Sequence, residues 1–103
     1  VINSHILKIK EFDIIGPRYN KTSDEIIIVF KGALLIEISG RNIVLYEGED
    51  CKILEGQTYK LSGITDVELF IVYSGEIENI VDVVDKEEER DTCPKQLSFI
   101  WPQ

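Results

Sequence analysis

Methionine is missing from this chain of 103 residues, and the chain has only two cysteines, three prolines, one tryptophan and one histidine. Cys51 and Cys93 show no Cys-x-x-Cys spacing and have no second pair with which to build a zinc cluster. We read Cys51 as a small core residue and Cys93 as an exposed or semi-exposed thiol. No apolar run approaches the roughly 20 residues that cross a bilayer, and the N-terminus lacks the basic flank and cleavage pattern of a signal peptide. A soluble, cytoplasmic protein with no membrane partner is therefore expected. The chain opens at Val1 without a methionine, which leads us to expect a trimmed start. Basic residues are in the minority, 11 against 19 acidic ones, for a net charge of −8. That balance provides no basic face for nucleic-acid phosphates. Half of the excess is local, since residues 82–91, DVVDKEEERD, hold six acids and two bases, or −4.

Hydrophobic residues make up 44% of the sequence, enough for one core in a chain too short for two. The expected organisation is a single domain over 1–103. Its barrel core covers about 5–75, and an acidic tail, 76–103, packs back on the barrel or onto a partner. Gly32, Gly40, Gly48, Gly56 and Gly63 fall eight, eight, eight and seven residues apart with apolar runs between them, the rhythm of short strands joined by tight turns. The opening VINSHILKIKEF alternates as a strand, with Val1, His5, Leu7 and Ile9 on one face. EIIIVFK is apolar at every interior position, as expected of a strand buried on both faces. LLIEIS, NIVLY, DCKIL, TYKL and DVELFIVYSG follow, with a hairpin turn at Ser39-Gly40. Six or more strands and no convincing helix through Gly75 imply an antiparallel sandwich or barrel. Between Glu76 and Val84 the pattern fits either a helical stripe or an extended segment. The acidic run reads as a solvated loop, and Leu97, Phe99, Ile100 and Trp101 as an apolar end that needs cover.

The glycine-spaced stretch resembles the cupin superfamily, whose members are small double-stranded β-helix (jelly-roll) barrels with two sequence signatures. The first is a pair of histidines one residue apart, three or four residues, Glu, six residues and Gly. Glu25 and Gly32 stand at that spacing. The second is Gly, five residues, Pro-x-Gly, two residues, His, three residues and Asn. Gly48 and Gly56 fall in register with it, with Leu54 at the proline, Tyr59 at the histidine and Gly63 at the asparagine. The end from Arg90 through Leu97 to Trp101 is similar to that of small bacterial cupins described as mannose-6-phosphate isomerase-like. The resemblance implies an all-β cupin-like barrel. Counting back from Glu25 places the two histidine positions on Arg18 and Asn20, or on Tyr19 and Lys21 with the shorter spacing. Of the usual three histidines and a glutamate only Glu25 remains. One carboxylate does not make a metal site, so no metal and no cofactor is expected.

Strand alternation sends Ile27 and Val29 inward with Glu25, and Leu61 inward with Tyr59. The expected ligand-binding residues are Arg18, Asn20, Glu25 and Tyr59, with the Arg18 guanidinium paired to Glu25 in the place of a metal. A small anionic or sugar-like ligand suits that set. No residue is assigned a catalytic role. Against this stand plainer readings. Glu25 as a turn-edge carboxylate, Arg18 and Asn20 as loop residues, Tyr59 as a core aromatic and His5 as a satisfied core or interface side chain each fit the sequence. Two function classes follow. One is a metal-free cupin that binds a small molecule or serves as an assembly module. The other is a sugar or sugar-phosphate isomerase or epimerase with Tyr59 or His5 as proton carrier. A filled barrel with no pocket, packed by Ile27, Val29 and Leu61, is the structural alternative. A homodimer is expected as well, because Ile26, Ile28, Phe30, Phe70 and Val72 occupy the strand parity that cannot point into the barrel.

Overall fold

A computed structural model describes residues 1–83. The readings made for Arg90, Cys93, the acidic run beyond Val83 and the LSFIW end lie outside the described residues. Among the described residues nine strands follow one another: β1 (Ile2–Ile9), β2 (Ile14–Asn20), β3 (Glu25–Lys31), β4 (Leu34–Ile38), β5 (Arg41–Leu45), β6 (Asp50–Ile53), β7 (Tyr59–Gly63), β8 (Val67–Ser74) and β9 (Ile80–Asp82). One 3-10 turn among the described residues, Ile77–Asn79, precedes β9, so the segment after Glu76 is helical for one turn and extended from Ile80 to Asp82. No helix among the described residues is long and apolar enough to cross a membrane.

The strands form two antiparallel sheets, β1-β8-β3-β6 (sheet I) and β5-β4-β7-β2-β9 (sheet II). The sheets close on a jelly-roll barrel whose core is one cluster that includes Ile27, Val29, Leu34, Ile36, Ile53, Leu61, Leu69 and Ile71. Period-two alternation builds this core directly: the odd residues of β3 and β8 and the even residues of β4 point inward, as their burial shows. Ile27, Val29 and Leu61 have no exposed surface at all, so the deep part of the barrel is packed solid.

The expectation that β3 is buried on both faces is corrected. Ile26 and Phe30 are 40% and 39% exposed, because among the described residues sheet I is covered on one side only. Val1, expected on the inner face of β1, is 94% exposed. It lies just before the strand, and Asn3 leads the inward row of Asn3, His5, Leu7 and Ile9.

One irregularity positions the site. Ile15 pairs with Leu61, yet Arg18 pairs with Tyr59, so β2 gains one residue between them. Without this bulge, residues 17 and 19 would continue the inward row begun by Ile15. With it, Arg18 and Asn20 take that row.

Candidate functional site

Three side chains form a hydrogen-bonded line across the barrel. The Arg18 Nε donates to the Tyr59 hydroxyl at 3.1 Å, and that hydroxyl donates to Glu25 Oε1 at 2.5 Å. Glu25 and Tyr59 are each 1% exposed. The reading of Glu25 as a solvated turn-edge carboxylate is thereby excluded. Arg18 and Glu25 do not meet as an ion pair: the phenol stands between them. The two ion pairs among the described residues, Lys52 with Asp24 and Lys60 with Glu37, lie elsewhere on the surface. The Arg18 guanidinium also lies 5.8 Å from the centroid of the Tyr59 ring, within cation–π range.

Asn20, 1% exposed, closes the turn into β3. Its Oδ1 accepts from the backbone N–H groups of Thr22 and Ser23 at 2.9 and 3.0 Å, an Asx turn that fixes which end of the amide is oxygen. Its Nδ2 has no partner. Arg18 Nη2, Glu25 Oε2 and His5 Nδ1 are likewise buried and unpartnered. Buried polar atoms in native proteins are nearly always hydrogen-bonded, so four at one end of one barrel call for an explanation.

His5 belongs to this group, which the sequence reading did not foresee. It was expected to be a satisfied side chain, and its Nδ1 is not satisfied. The ring packs edge-on against Tyr73, centroids 5.7 Å apart, and Tyr73 faces Glu25 across the β3–β8 ladder. The inward parity of His5 was the available signal. The floor of the site is thus Asn20, Glu25 and Tyr59, and its half-buried rim is His5 and Arg18.

Burial, seconded by the positive charge of Arg18 and opposed by Glu25, holds the His5 imidazole below its ordinary range. The folded protein prefers neutral His5. The stability this contributes is fully present above the ordinary histidine value of about 6.5 and is lost as pH falls through the lowered folded value. Urea midpoints are therefore expected to decline as pH drops below about 6.5. His5→Phe, which keeps the ring on Tyr73, should make that decline shallower; an unchanged slope would place the imidazole in solvent. The Tyr59 phenol is pushed far above its usual range, first by burial and then by Glu25, with Arg18 opposing. It stays protonated and donates.

Two cavities among the described residues lie off the polar cluster, although Tyr59 lines one of them. One of about 350 Å3 is lined by Lys8, Lys10, Lys31, Asp66 and Glu68 with Ile9 and Val67. A polar groove of about 290 Å3 on sheet II runs past Pro17, Arg41, Tyr59 and Lys60. Neither includes Arg18, Asn20 or Glu25, so the larger cavity is away from the polar cluster.

No family model and no curated protein matches the chain. Solved structures do. A cupin-2 domain protein from Shewanella frigidimarina is 25% identical, with a TM-score of 0.59, over 69% of this chain and 68% of that one. The EutQ protein of Clostridium difficile is 25% identical, with a TM-score of 0.59, over 70% of this chain and 50% of its own. A Streptococcus pyogenes protein of unknown function is 16% identical, with a TM-score of 0.66, over 73% of this chain and 65% of that one.

The fold is that of the cupin superfamily.

The chain thus spans about two thirds of the Streptococcus protein and half of EutQ. The histidine-and-glutamate signature that the sequence resembles implies a metal at the Glu25 and Tyr59 end of the barrel. The donor set here does not fit one. Among the described residues no three His, Cys, Asp or Glu side chains converge, and a guanidinium that faces the Tyr59 hydroxyl has no lone pair to offer a metal.

Proposed function

We propose that this cupin-type barrel binds a small molecule at the Arg18, Asn20, Glu25 and Tyr59 end without a metal, the ligand histidines of the superfamily being replaced by Arg18, Asn20 and Tyr59. The observation that supports this reading is the set of four buried, unpartnered polar atoms gathered around the Arg18–Tyr59–Glu25 line. A purely structural polar core would have little reason to leave them unpaired, since each costs about 1–3 kcal/mol. Two measurements test it together. Protein purified without chelator should hold no stoichiometric Fe, Mn, Ni or Zn, and small anionic or sugar-like compounds should raise its melting temperature. One tightly held equivalent of metal would sink the reading. For the isomerase alternative, the engaged Tyr59 proton weighs against Tyr59 as carrier and leaves His5 for that role.

A second reading, an assembly module, draws on the outer face of sheet I. Ile2, Ile6, Ile26, Phe30 and Phe70 are 73%, 55%, 40%, 39% and 36% exposed there. The Phe30 and Phe70 rings lie 4.8 Å apart, and Ile6, Phe70 and Ile28 form one cross-strand row. Such a patch favours self-association. Light scattering should give a mass above the 11.8 kDa chain, and Phe70→Glu should return it to that value. A parent already at the chain mass would reject the module.

A further inference from the structure

The unpartnered atoms specify the ligand's chemistry. Resting on the reading that this end of the barrel binds a small molecule, we infer that the ligand is a small hydroxy-carboxylate: a carboxylate oxygen is taken by Arg18 Nη2 and Asn20 Nδ2, and a neighbouring hydroxyl donates to Glu25 Oε2 beside His5.

The inference follows from sorting donors and acceptors. Arg18 offers only donors; its Nε is spent on the Tyr59 hydroxyl, and its Nη2 is free. Asn20 Oδ1 is spent on two backbone amides, so only the donor end of that amide remains. These two donors project from the inward row of β2, two residues apart, one charged and one neutral, and together they suit a carboxylate better than a neutral carbonyl. Glu25 has one oxygen occupied by Tyr59 and one open, so the ligand must also bring a donor. The His5 ring, part of the rim, shares that side through Tyr73.

A plain carboxylate leaves Glu25 unserved. A polyol leaves the guanidinium without its anion. A phosphate dianion sets two negative charges beside Glu25 against one Arg18. Of these classes, only a ligand with both an anionic acceptor and a hydroxyl answers Arg18 Nη2, Asn20 Nδ2 and Glu25 Oε2 together. All four open atoms are sealed from solvent in the resting barrel, so entry requires the half-buried Arg18 and His5 side chains at the rim to move aside.

The test uses four probes, glycolate, acetate, glycerol and inorganic phosphate, titrated into the full chain and followed by amide and side-chain NMR shifts. Glycolate is expected to shift the signals of Arg18, Asn20 and Glu25 and to bind at least about tenfold more tightly than acetate or glycerol, the effect of one hydrogen bond to a charged group. Arg18→Lys, which keeps the charge but loses the fork, should weaken glycolate and acetate alike and leave glycerol unchanged. Glu25→Gln should narrow the gap between glycolate and acetate. Equal affinity for glycolate and acetate, or tightest binding of phosphate, overturns the hydroxy-carboxylate assignment while leaving a small-molecule site in place. Silence at these residues from all four probes overturns it too. If no compound of the wider melting-temperature screen binds either, the binding reading itself fails with it.

Discussion

Tyr59→Phe is expected to cost about 3–5 kcal/mol of stability, the range for breaking a buried charged network by removing one member. The substitution deletes a single oxygen, but that oxygen serves two partners. The Arg18 Nε loses its acceptor, and Glu25 loses the one donor that the described residues offer its carboxyl. Glu25 is 1% exposed, so water cannot take over on that side without opening the barrel. Its other oxygen is already unpartnered. The volume of the ring is unchanged, so packing of Tyr59 in the core cluster contributes little to the loss. With a urea slope of about 1–3 kcal/mol per molar, the midpoint should fall by well over 1 M. The same substitution made in a Glu25→Leu, Arg18→Met background should cost less than about 1 kcal/mol, because no charged partner is then stranded. A single-mutant loss below about 1 kcal/mol would mean that the line is wet or absent in solution.

The barrel was legible because its signals are local. Apolar residues two apart, and glycines at a spacing of eight, name strands and turns without reference to anything distant, and β4, β6 and β8 lie where that pattern places them. The candidate site was legible in part. Glu25 and Tyr59 come together from strand starts 34 residues apart, and the cupin spacing matched both. Arg18 and Asn20 reach them only because of the extra residue in β2 between Ile15 and Arg18. A one-residue register shift leaves no mark in composition or periodicity, so counting back from Glu25 found Arg18 while strand parity from Ile15 would have missed it. The direct Arg18–Glu25 pair was expected from charge alone. The length of the Tyr59 side chain, which places its hydroxyl between the two, cannot be read from one strand at a time. His5 is read from the sequence as a satisfied side chain, or as a proton carrier in the isomerase alternative, but its place beside Glu25 is supplied by β8 and β3, far along the chain. The two-sided burial of β3 failed for a related reason. An apolar run shows that both faces avoid water, but it does not say what covers the second.

Gly32→Ala is expected to destabilise the protein by more than about 4 kcal/mol, at the upper end of what single substitutions do, whereas Gly48→Ala should cost only about 1–2 kcal/mol, the penalty of placing a Cβ on a left-handed backbone. In the sequence the two glycines are equivalent members of one eight-residue rhythm. In the structure they share a positive φ, +87° at Gly32 and +85° at Gly48, so the conformational penalty is common to both. What separates them is space. A Cβ at Gly48 would meet nothing within 4 Å, while one at Gly32 would fall 2.1 Å from the Asp66 carbonyl oxygen and 2.8 Å from Thr65 Oγ1. Neither neighbour is free to withdraw. Thr65 Oγ1 accepts from the Ala33 amide at 3.1 Å and donates to the Asp66 carbonyl at 2.9 Å. Asp66 Oδ1 takes the Glu11 amide at 2.9 Å, and the Ala33 carbonyl accepts from Ile64 N at 3.0 Å. These bonds clamp the β3–β4 turn to the loop that leads into β8, so relief of the clash requires breaking several of them at once. Urea or thermal unfolding of the two variants side by side decides the matter. Similar losses for Gly32→Ala and Gly48→Ala would show that the 64–66 loop yields, and that the shared φ rather than close packing is what both positions require.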